Sequence, residues 1–169
     1  MTGADKLVIG IDPGTAITGY GLVREVDGQL ECDGFGVVRT SSSDKLERRL
    51  QLIYSGLGEV VKKHNPTDAA VEKLFFHRNV SSAMAVGQGR GVALLVIANA
   101  GISAGEYTPG EVKQSVTGYG KAEKLQVQEM VSALLNLDTV PYPDDAADAL
   151  AVAICHVHTL STQALLEGY

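Results

Sequence analysis

The amino-acid sequence predicts an α/β protein built on a mixed five-stranded sheet, with three antiparallel strands followed by alternating helices and strands. Two observations lead to this prediction. Three segments with strand character, separated by short turns, fill the first 40 residues. Beyond residue 40, segments with the apolar periodicity of helices alternate with short strand-like runs. A meander followed by such alternation is typical of a sheet layered with helices.

The first three strands are predicted from composition and turns. LVIGID (7–12) is an apolar run of the kind found in buried strands. ITGYGLVREV (17–26) is rich in β-branched and aromatic residues, and LECDGFGVVRT (30–40) resembles a third strand. The Asp-Gly-Gln turn at 27–29 separates the last two, so the opening is predicted to be a meander.

A helix is predicted next, because SSSDKLE offers a helix start. Ser43 or Asp44 is suited to be its N-cap, and Glu47 is available for a capping box. Apolar residues at spacings of three and four continue this amphipathic helix to the break at Asn65-Pro66. The later elements are predicted as strands at 68–76 and 102–108 and as helices at 79–100, from Pro109, at 121–136 and at 143–160.

Glycine is unusually frequent in the predicted helix 79–100. Gly87 and Gly91 each lower helix stability by roughly 1 kcal/mol relative to alanine. We therefore expect a close backbone approach at this helix, either to the sheet or to a second subunit.

Length and composition predict a soluble cytoplasmic protein without a membrane partner. With 169 residues and no linker, low-complexity tract or repeat, we expect one domain over 1–169. The longest apolar stretch, at 91–101, is far shorter than the roughly 20 residues of a membrane span. The first residues, MTGADK, lack the features of a signal peptide. Two cysteines far apart in sequence predict no disulfide framework.

The charge distribution leaves nucleic-acid binding open. The net charge of −6 and the pI of about 5.1 disfavour such a partner. However, the segment 73–124 carries six basic and three acidic side chains, whereas the rest of the chain is strongly acidic. One basic region is therefore expected on an acidic protein.

Four acidic residues stand out by their position. Asp12 closes the first predicted strand, and Glu72 lies inside the apolar fourth strand, on the opposite face from the valine before it. Asp145 and Asp148 are three apart at the start of the last helix, so they share one helical face. The alanines around them would let that helix approach the sheet closely. Three or four carboxylates would then converge on one point.

Converging carboxylates predict a metal site. They repel each other, and divalent cations remove that repulsion. Hard oxygen ligands favour Mg²⁺ or Mn²⁺. Two such ions about 3.5–4 Å apart can activate water and stabilise the leaving oxygen in phosphodiester cleavage. We therefore expect two Mg²⁺ ions per active site, which Mn²⁺ can replace.

Each carboxylate also has a purely structural explanation. Asp145 or Asp144 is suited to cap the last helix. Glu72 would be unremarkable if it faced solvent from an edge strand, and Asp12 is suited to begin a Pro-Gly turn. It is the joint position of the four that favours a metal site.

Six segments carry a family resemblance, and they occur in this order: IGIDPGT (9–15), VEKLFF (71–76), GQGRGVAL (87–94), YTPGEVKQSVTGYG (107–120), KAEKLQVQEMV (121–131) and DAADALAVAICH (145–156). Together they resemble the RuvC family of bacterial Holliday-junction resolvases, which belongs to the ribonuclease H-like nuclease superfamily. The resemblance covers nearly the whole chain. It implies a ribonuclease H-like sheet flanked by helices and a metal-dependent crossover junction endodeoxyribonuclease.

The resemblance also implies which residues form the active site. It makes catalytic carboxylates and metal ligands of Asp12, Glu72, Asp145 and Asp148. Family members vary most at the position of Asp145, where some have histidine.

The residues implied to bind DNA lie outside this set. Phe75 matches an aromatic residue that family members use against an unstacked base, with burial in the core as the alternative. Lys113 and Lys124 match basic residues implicated in DNA contact, and Arg78 is a further candidate. The implied partners are four-way junction DNA, a second copy of the chain in a homodimer, and the RuvA–RuvB branch-migration complex.

Three other functions remain open from the sequence. The Asp-Pro-Gly-Thr turn after the first strand also resembles phosphate-binding domains of the actin, Hsp70 and sugar-kinase type, but those enclose ATP between two lobes and 169 residues supply one. A ribonuclease H-like enzyme that processes RNA would share the metal chemistry. A non-catalytic DNA-binding module would not need four carboxylates.

Overall fold

The computed structural model describes residues 6–73 and 79–168. At its centre is a sheet of five strands, β1 (Lys6–Asp12), β2 (Ile17–Val26), β3 (Gln29–Arg39), β4 (Asp68–Glu72) and β5 (Ala104–Tyr107). They lie side by side in the order β3-β2-β1-β4-β5. The first three are antiparallel, and β4 and β5 continue the sheet in parallel from β1. The predicted mixed sheet is confirmed.

Helices cover both faces of this sheet. They are α1 (Leu46–His64), α2 (Val80–Asn99), α3 (Pro109–Thr117), α4 (Lys124–Leu134) and α5 (Asp144–Glu167). The core beneath α1 and α2 includes Ile9 and Leu57. The core on the other face, beneath α3, α4 and α5, includes Val8 and Leu150. The long central helix of this second layer is α5, whose residues 146–157 are almost all buried.

Strand alternation decides which face the two strand carboxylates occupy. Side chains alternate along a strand, so Asp12 shares the face of Val8, which belongs to the core beneath α5. Glu72 likewise shares the face of Ala70, which lies in the same core. Both carboxylates therefore project from the ends of parallel neighbouring strands towards α5. This confirms the predicted opposite orientation of Glu72 and the valine before it.

Glycines in the sheet allow α5 to lie directly on it. A Cβ added at Gly10 would be 2.1 Å from the Ala149 carbonyl oxygen, and one added at Gly19 would be 2.0 Å from the Asp145 carbonyl oxygen. Gly19 is also the antiparallel partner of Asp12 in the sheet. The predicted close approach of the alanine-rich helix is confirmed, and it depends on the sheet residues opposite as much as on the alanines.

The predicted N-terminus of α1 is wrong. Neither Ser43 nor Asp44 is its N-cap, and Glu47 forms no capping box, because the helix begins after Lys45 without a side-chain cap. The Ser43 hydroxyl lies 2.7 Å from the Ser41 hydroxyl instead. A local turn therefore occupies the hydroxyl of Ser43, one of the two candidate caps.

Other element ends differ from the prediction by a few residues. The fourth strand, predicted over 68–76, ends at Glu72, and residues 74–76 lie outside the described part of the chain. The helix predicted from 121 begins at Lys124, because the Ala122 amide bonds to the Tyr119 carbonyl in a turn. The last helix continues beyond 160 to Glu167, through residues that favour helix.

Two helices, α2 and α5, are long and apolar enough to cross a membrane by length and composition alone. Half of the most apolar stretch of α5 is buried inside the protein. Because the core helices of soluble proteins pass the same test, this observation is weak evidence for a membrane protein.

The contact at Gly19 generates a prediction. In the Gly19→Ala variant the new methyl group would overlap the Asp145 carbonyl, so the first turn of α5 would have to move away from the sheet. We expect a loss of about 1–3 kcal/mol in the free energy of unfolding, measured with urea. Gly58→Ala is the matched control, since a Cβ there meets open space on α1 and should leave stability unchanged or raise it. Equal stability of the two variants would contradict the importance of this contact.

Candidate active site

The carboxylates predicted from the sequence lie at one edge of the sheet. Asp12 and Glu72 end the parallel neighbours β1 and β4, and their carboxyl groups are within hydrogen-bonding reach of each other. Asp145 and Asp148 lie in the first turns of α5, and the charges of both act on Asp12. The structure thus brings together the four residues that the sequence singles out.

Burial and mutual repulsion make these carboxyl groups hard to ionise. Burial, followed by the charges of Glu72, Asp148 and Asp145, raises the pKa of Asp12 from 3.8 to about 8. Burial and the charge of Asp148 also raise the pKa of Glu72, although a hydrogen bond from Asp12 opposes this shift. Burial and repulsion therefore favour the protonated form of Asp12, whose carboxyl group lies next to that of Glu72.

A lysine partly neutralises the cluster. The Lys124 ammonium nitrogen lies 3.1 Å from an Asp144 carboxylate oxygen and 3.6 Å from an Asp148 carboxylate oxygen. Burial raises the pKa of Asp148, and the charge of Lys124 opposes that rise. Burial lowers the pKa of Lys124, but the bond to Asp144 and the surrounding carboxylates outweigh it and raise that pKa.

Two lysines predicted to bind DNA share a pocket with the carboxylates. The pocket has a volume of about 210 Å³ and is lined by Glu72, Asp148, Lys113 and Lys124, with apolar walls that include Val112. Lys113 and Lys124 also act electrostatically on Glu72. The structure therefore places both lysines beside the carboxylates.

The chain around the strand carboxylates is held by specific contacts. After Asp12, the buried Thr18 hydroxyl donates a hydrogen bond of 2.6 Å to the Gly14 carbonyl. Gly89 of α2 packs against this turn, since a Cβ there would lie 3.0 Å from the same carbonyl oxygen. These contacts fix the backbone at the Asp12 end of the site.

Arg90 contacts the end of β4, the strand that carries Glu72. Its Nε donates a hydrogen bond of 3.4 Å to the Glu72 carbonyl, and its guanidinium forms an ion pair with Glu106 on β5. One side chain of α2 thus ties together the ends of two neighbouring strands. The sequence pattern does not predict this role, because nothing in the spacing of Arg90 relates it to Glu72.

The donor set fits a hard divalent cation. Within residues 6–73 and 79–168, no three carboxylate, histidine or cysteine side chains already form a coordination group. Repulsion among the carboxylates and the ion pair of Lys124 with Asp148 both favour their separation. The carboxylates at this edge offer oxygen donors alone, which suits Mg²⁺ or Mn²⁺ rather than metals that prefer sulfur or nitrogen.

Two predicted DNA-binding residues cannot be placed, and two structural explanations of the acidic residues are contradicted. Phe75 and Arg78 lie outside the described residues. Neither Asp144 nor Asp145 caps α5, because Pro143 is the N-cap and makes no side-chain cap bond. Glu72 is not on an edge strand, because β4 lies between β1 and β5. Both structural alternatives are therefore wrong.

Comparisons of this chain with a family model and with individual relatives all lead to one protein family. The family described as crossover junction endodeoxyribonuclease RuvC matches residues 8–156. A protein of that name from Heliobacterium modesticaldum is 53% identical over 155 residues, covering 92% of this chain and 96% of the relative. Another from Clostridioides difficile is 46% identical over 162 residues, covering 96% of each chain.

Solved structures match as well. Thermus thermophilus RuvC in complex with Holliday junction substrate has a TM-score of 0.88 and 34% identity, covering 94% of this chain and 96% of that one. The yeast mitochondrial Holliday junction resolvase Ydc2 has a TM-score of 0.69 at 14% identity, covering 97% of this chain and 81% of that one. The second likeness shows the fold.

The five-stranded mixed sheet with helices on both faces is that of the ribonuclease H-like resolvases. Within that class, the chain belongs to the crossover junction endodeoxyribonuclease RuvC family. It is accordingly a nuclease of a metal-dependent family.

The raised pKa of Asp12 predicts how stability changes with pH when metal is removed. A carboxyl group whose pKa rises on folding contributes stability below its unfolded value of 3.8, and this contribution is lost as pH rises towards 8. Glu72 and Asp148 shift in the same direction. In EDTA, the free energy of unfolding should therefore fall between pH 5 and pH 8.5.

The matched variant is Asp12→Asn, which cannot ionise. Urea unfolding should show a clearly smaller fall with pH in this variant, and it should be the more stable protein at pH 8.5. Excess Mg²⁺ should restore much of the stability of the unmutated protein at pH 8.5, because it binds the folded state. Parallel pH curves for the two proteins in EDTA would contradict the assignment of the titrating group.

Proposed function

We propose that this chain resolves four-way DNA junctions by metal-dependent hydrolysis of phosphodiester bonds at the carboxylate pocket. The observation that supports this most strongly is the meeting of Asp12, Glu72 and Asp148 beside two lysines, in a member of a nuclease family. The Thermus thermophilus relative, solved with Holliday junction substrate, supports the choice of DNA. Two symmetric nicks in strands of like polarity would separate the junction into two duplexes.

The proposed metal ligands are Asp12, Glu72, Asp145 and Asp148. Two Mg²⁺ ions bound there would supply the charge that activates water and stabilises the leaving oxygen. Metal binding requires the carboxylates to be ionised, so Asp12 would release its proton as the site fills. Burial of these groups limits the access of bulk water and strengthens their electrostatic interactions.

The lysines of the pocket are proposed to bind the DNA strand. Lys113 and Lys124 lie beside Glu72 and Asp148, so their charges favour a phosphate next to the carboxylates. Phe75 is proposed to stack on an unpaired base and Arg78 to contact the backbone, on the family resemblance alone. Recognition by stacking is worth roughly 1–3 kcal/mol per base in other proteins.

Loss of the carboxylates tests the proposed chemistry. We expect Asp12→Asn, Glu72→Gln and Asp148→Asn each to abolish nicking of a synthetic four-way junction in Mg²⁺, and Asp145→Asn to impair it severely. Junction binding should persist, because affinity comes mainly from basic contacts to phosphate. Gel assays of cleavage and binding measure the two separately.

Linear duplex DNA and structured RNA are the substrate controls, and Asp138→Asn is the control for loss of an exposed acidic residue. Wild-type rates in any of the first three variants would overturn the site assignment. Preferential cleavage of RNA would favour the alternative of an RNA-processing nuclease. Binding without cleavage by the unmutated protein would favour a DNA-binding module.

A homodimer is proposed from the outer face of α2. Val80, Met84 and Leu95 are exposed there at helical spacing, and Gly91 lies among them with nothing within 4 Å of an added Cβ. Gly91 therefore does not approach the sheet, which supports contact with a second subunit as the reason for this glycine. Two active sites related by two-fold symmetry would suit two symmetric nicks.

Sedimentation tests this interface. The unmutated chain should sediment as a dimer at micromolar concentration, whereas Met84→Glu should weaken dimerisation at least tenfold because a charge would be buried. Leu166→Glu is the control, since this residue is as exposed but lies at the far end of α5. A 17.8 kDa monomer even with junction DNA present would contradict the proposal.

The remaining proposals follow from family membership. A DNA-processing enzyme of this family would work in the cytoplasm, as one domain over 1–169. The RuvA–RuvB branch-migration complex is the proposed protein partner, which would deliver the junction to the pocket.

A further inference from the structure

Two helices meet through four polar side chains at the rim of the carboxylate pocket. Lys124 and Gln128 lie one turn apart at the start of α4, and Asp144 and Asp148 lie one turn apart at the start of α5. Lys124 lies between the two carboxylates, at 3.1 Å from Asp144 and 3.6 Å from Asp148. The Gln128 amide donates a hydrogen bond of 3.2 Å to the second oxygen of Asp144.

The two carboxylates that contact Lys124 differ in their surroundings. Asp148 lines the pocket and faces Glu72, whereas Asp144 does not line it and its side chain is 59% exposed. Gln128 is buried, so the hydrogen bond it donates restrains Asp144 from the protein side. An exposed ion pair without such support contributes little to stability. The orientation of this pair is thus set by a third, buried side chain.

Lys124 is poorly placed to stabilise its own helix. It is the first residue of α4, where the backbone N–H groups disfavour a cation. Its position is therefore accounted for by its contacts with α5. It lies on the side of Asp148 where it neutralises that carboxylate.

We propose that Asp144 is a positioning residue for Lys124, which it holds at the rim of the pocket while Asp148 exchanges the ammonium group for metal. The inference rests on the proposed function, in which Asp148 binds metal. A cation on Asp148 repels the ammonium group, and Asp144 remains to hold it. Lys124 is then retained beside the pocket, where a phosphate of the bound strand would lie.

The effects of Asp144 and Lys124 on metal affinity are therefore expected to depend on the contact between these two residues. Without Lys124, metal meets no competing cation at Asp148, so Lys124→Met should bind Mn²⁺ about two- to fivefold more tightly. Without the Asp144 charge, Lys124 should contact Asp148 more completely. Asp144→Asn should then bind Mn²⁺ about two- to fivefold more weakly.

The test is a double-mutant cycle on the full chain without DNA, with free Mn²⁺ measured by electron paramagnetic resonance. Asp144→Asn should weaken Mn²⁺ binding when it is the only substitution. In the Lys124→Met background, the same substitution should change Mn²⁺ affinity by less than about 1.5-fold. Glu129→Gln removes the same charge from an exposed position on α4 and should change affinity in neither background. Asp144→Glu should retain most of the unmutated affinity.

The outcomes separate this proposal from its alternatives. An equal effect of Asp144→Asn in both backgrounds would show that Asp144 acts on the metal directly, and would overturn the positioning role. Unchanged or weaker Mn²⁺ binding by Lys124→Met would show that Lys124 does not compete with metal for Asp148. Because no DNA is present, either result leaves junction cleavage to be judged by the nicking assay alone.

Discussion

The arrangement of this site depends on the repulsion among carboxylates gathered at a buried edge. Three elements distant in sequence bring Asp12, Glu72 and Asp148 together, and burial raises the pKa of each. A fold that needed only stability would gain from separating or replacing them. The surrounding structure therefore has to hold this cluster in place against its own repulsion, and several of its features can be understood as doing so.

The first of these features is backbone contact between α5 and the sheet. Gly10 and Gly19 let the helix lie against β1 and β2 at a distance that side chains would prevent. Gly19 pairs with Asp12 and touches the Asp145 backbone, so one residue sets the spacing between two carboxylate-bearing elements. Arg90 acts in a similar way at the other strand, through the Glu72 carbonyl. The site is thus fixed chiefly through main-chain positions.

The sequence predicts the sheet, the helices and the four acidic residues, because each is encoded by local periodicity or by position at an element end. It does not predict contacts that depend on the meeting of elements. The sequence predicts Asp144 only as a possible helix cap, yet its carboxylate binds Lys124 from another helix. It also does not predict that α1 begins after Lys45, with the Ser43 hydroxyl next to that of Ser41. Which partner a polar side chain binds depends on the folded geometry. The periodicity of the sequence does not encode that geometry.

The acidic character of the whole chain is compatible with DNA as a partner once charge is considered by location. Lys113 and Lys124 lie in the pocket itself, whereas much of the acidic excess lies in other segments. Screening limits the effect of distant exposed charges to about 8 Å at physiological ionic strength. A phosphate entering the pocket would therefore interact mainly with the two lysines and with the carboxylates beside them. The net charge of the chain is therefore a poor guide to the electrostatic attraction between this pocket and a DNA strand.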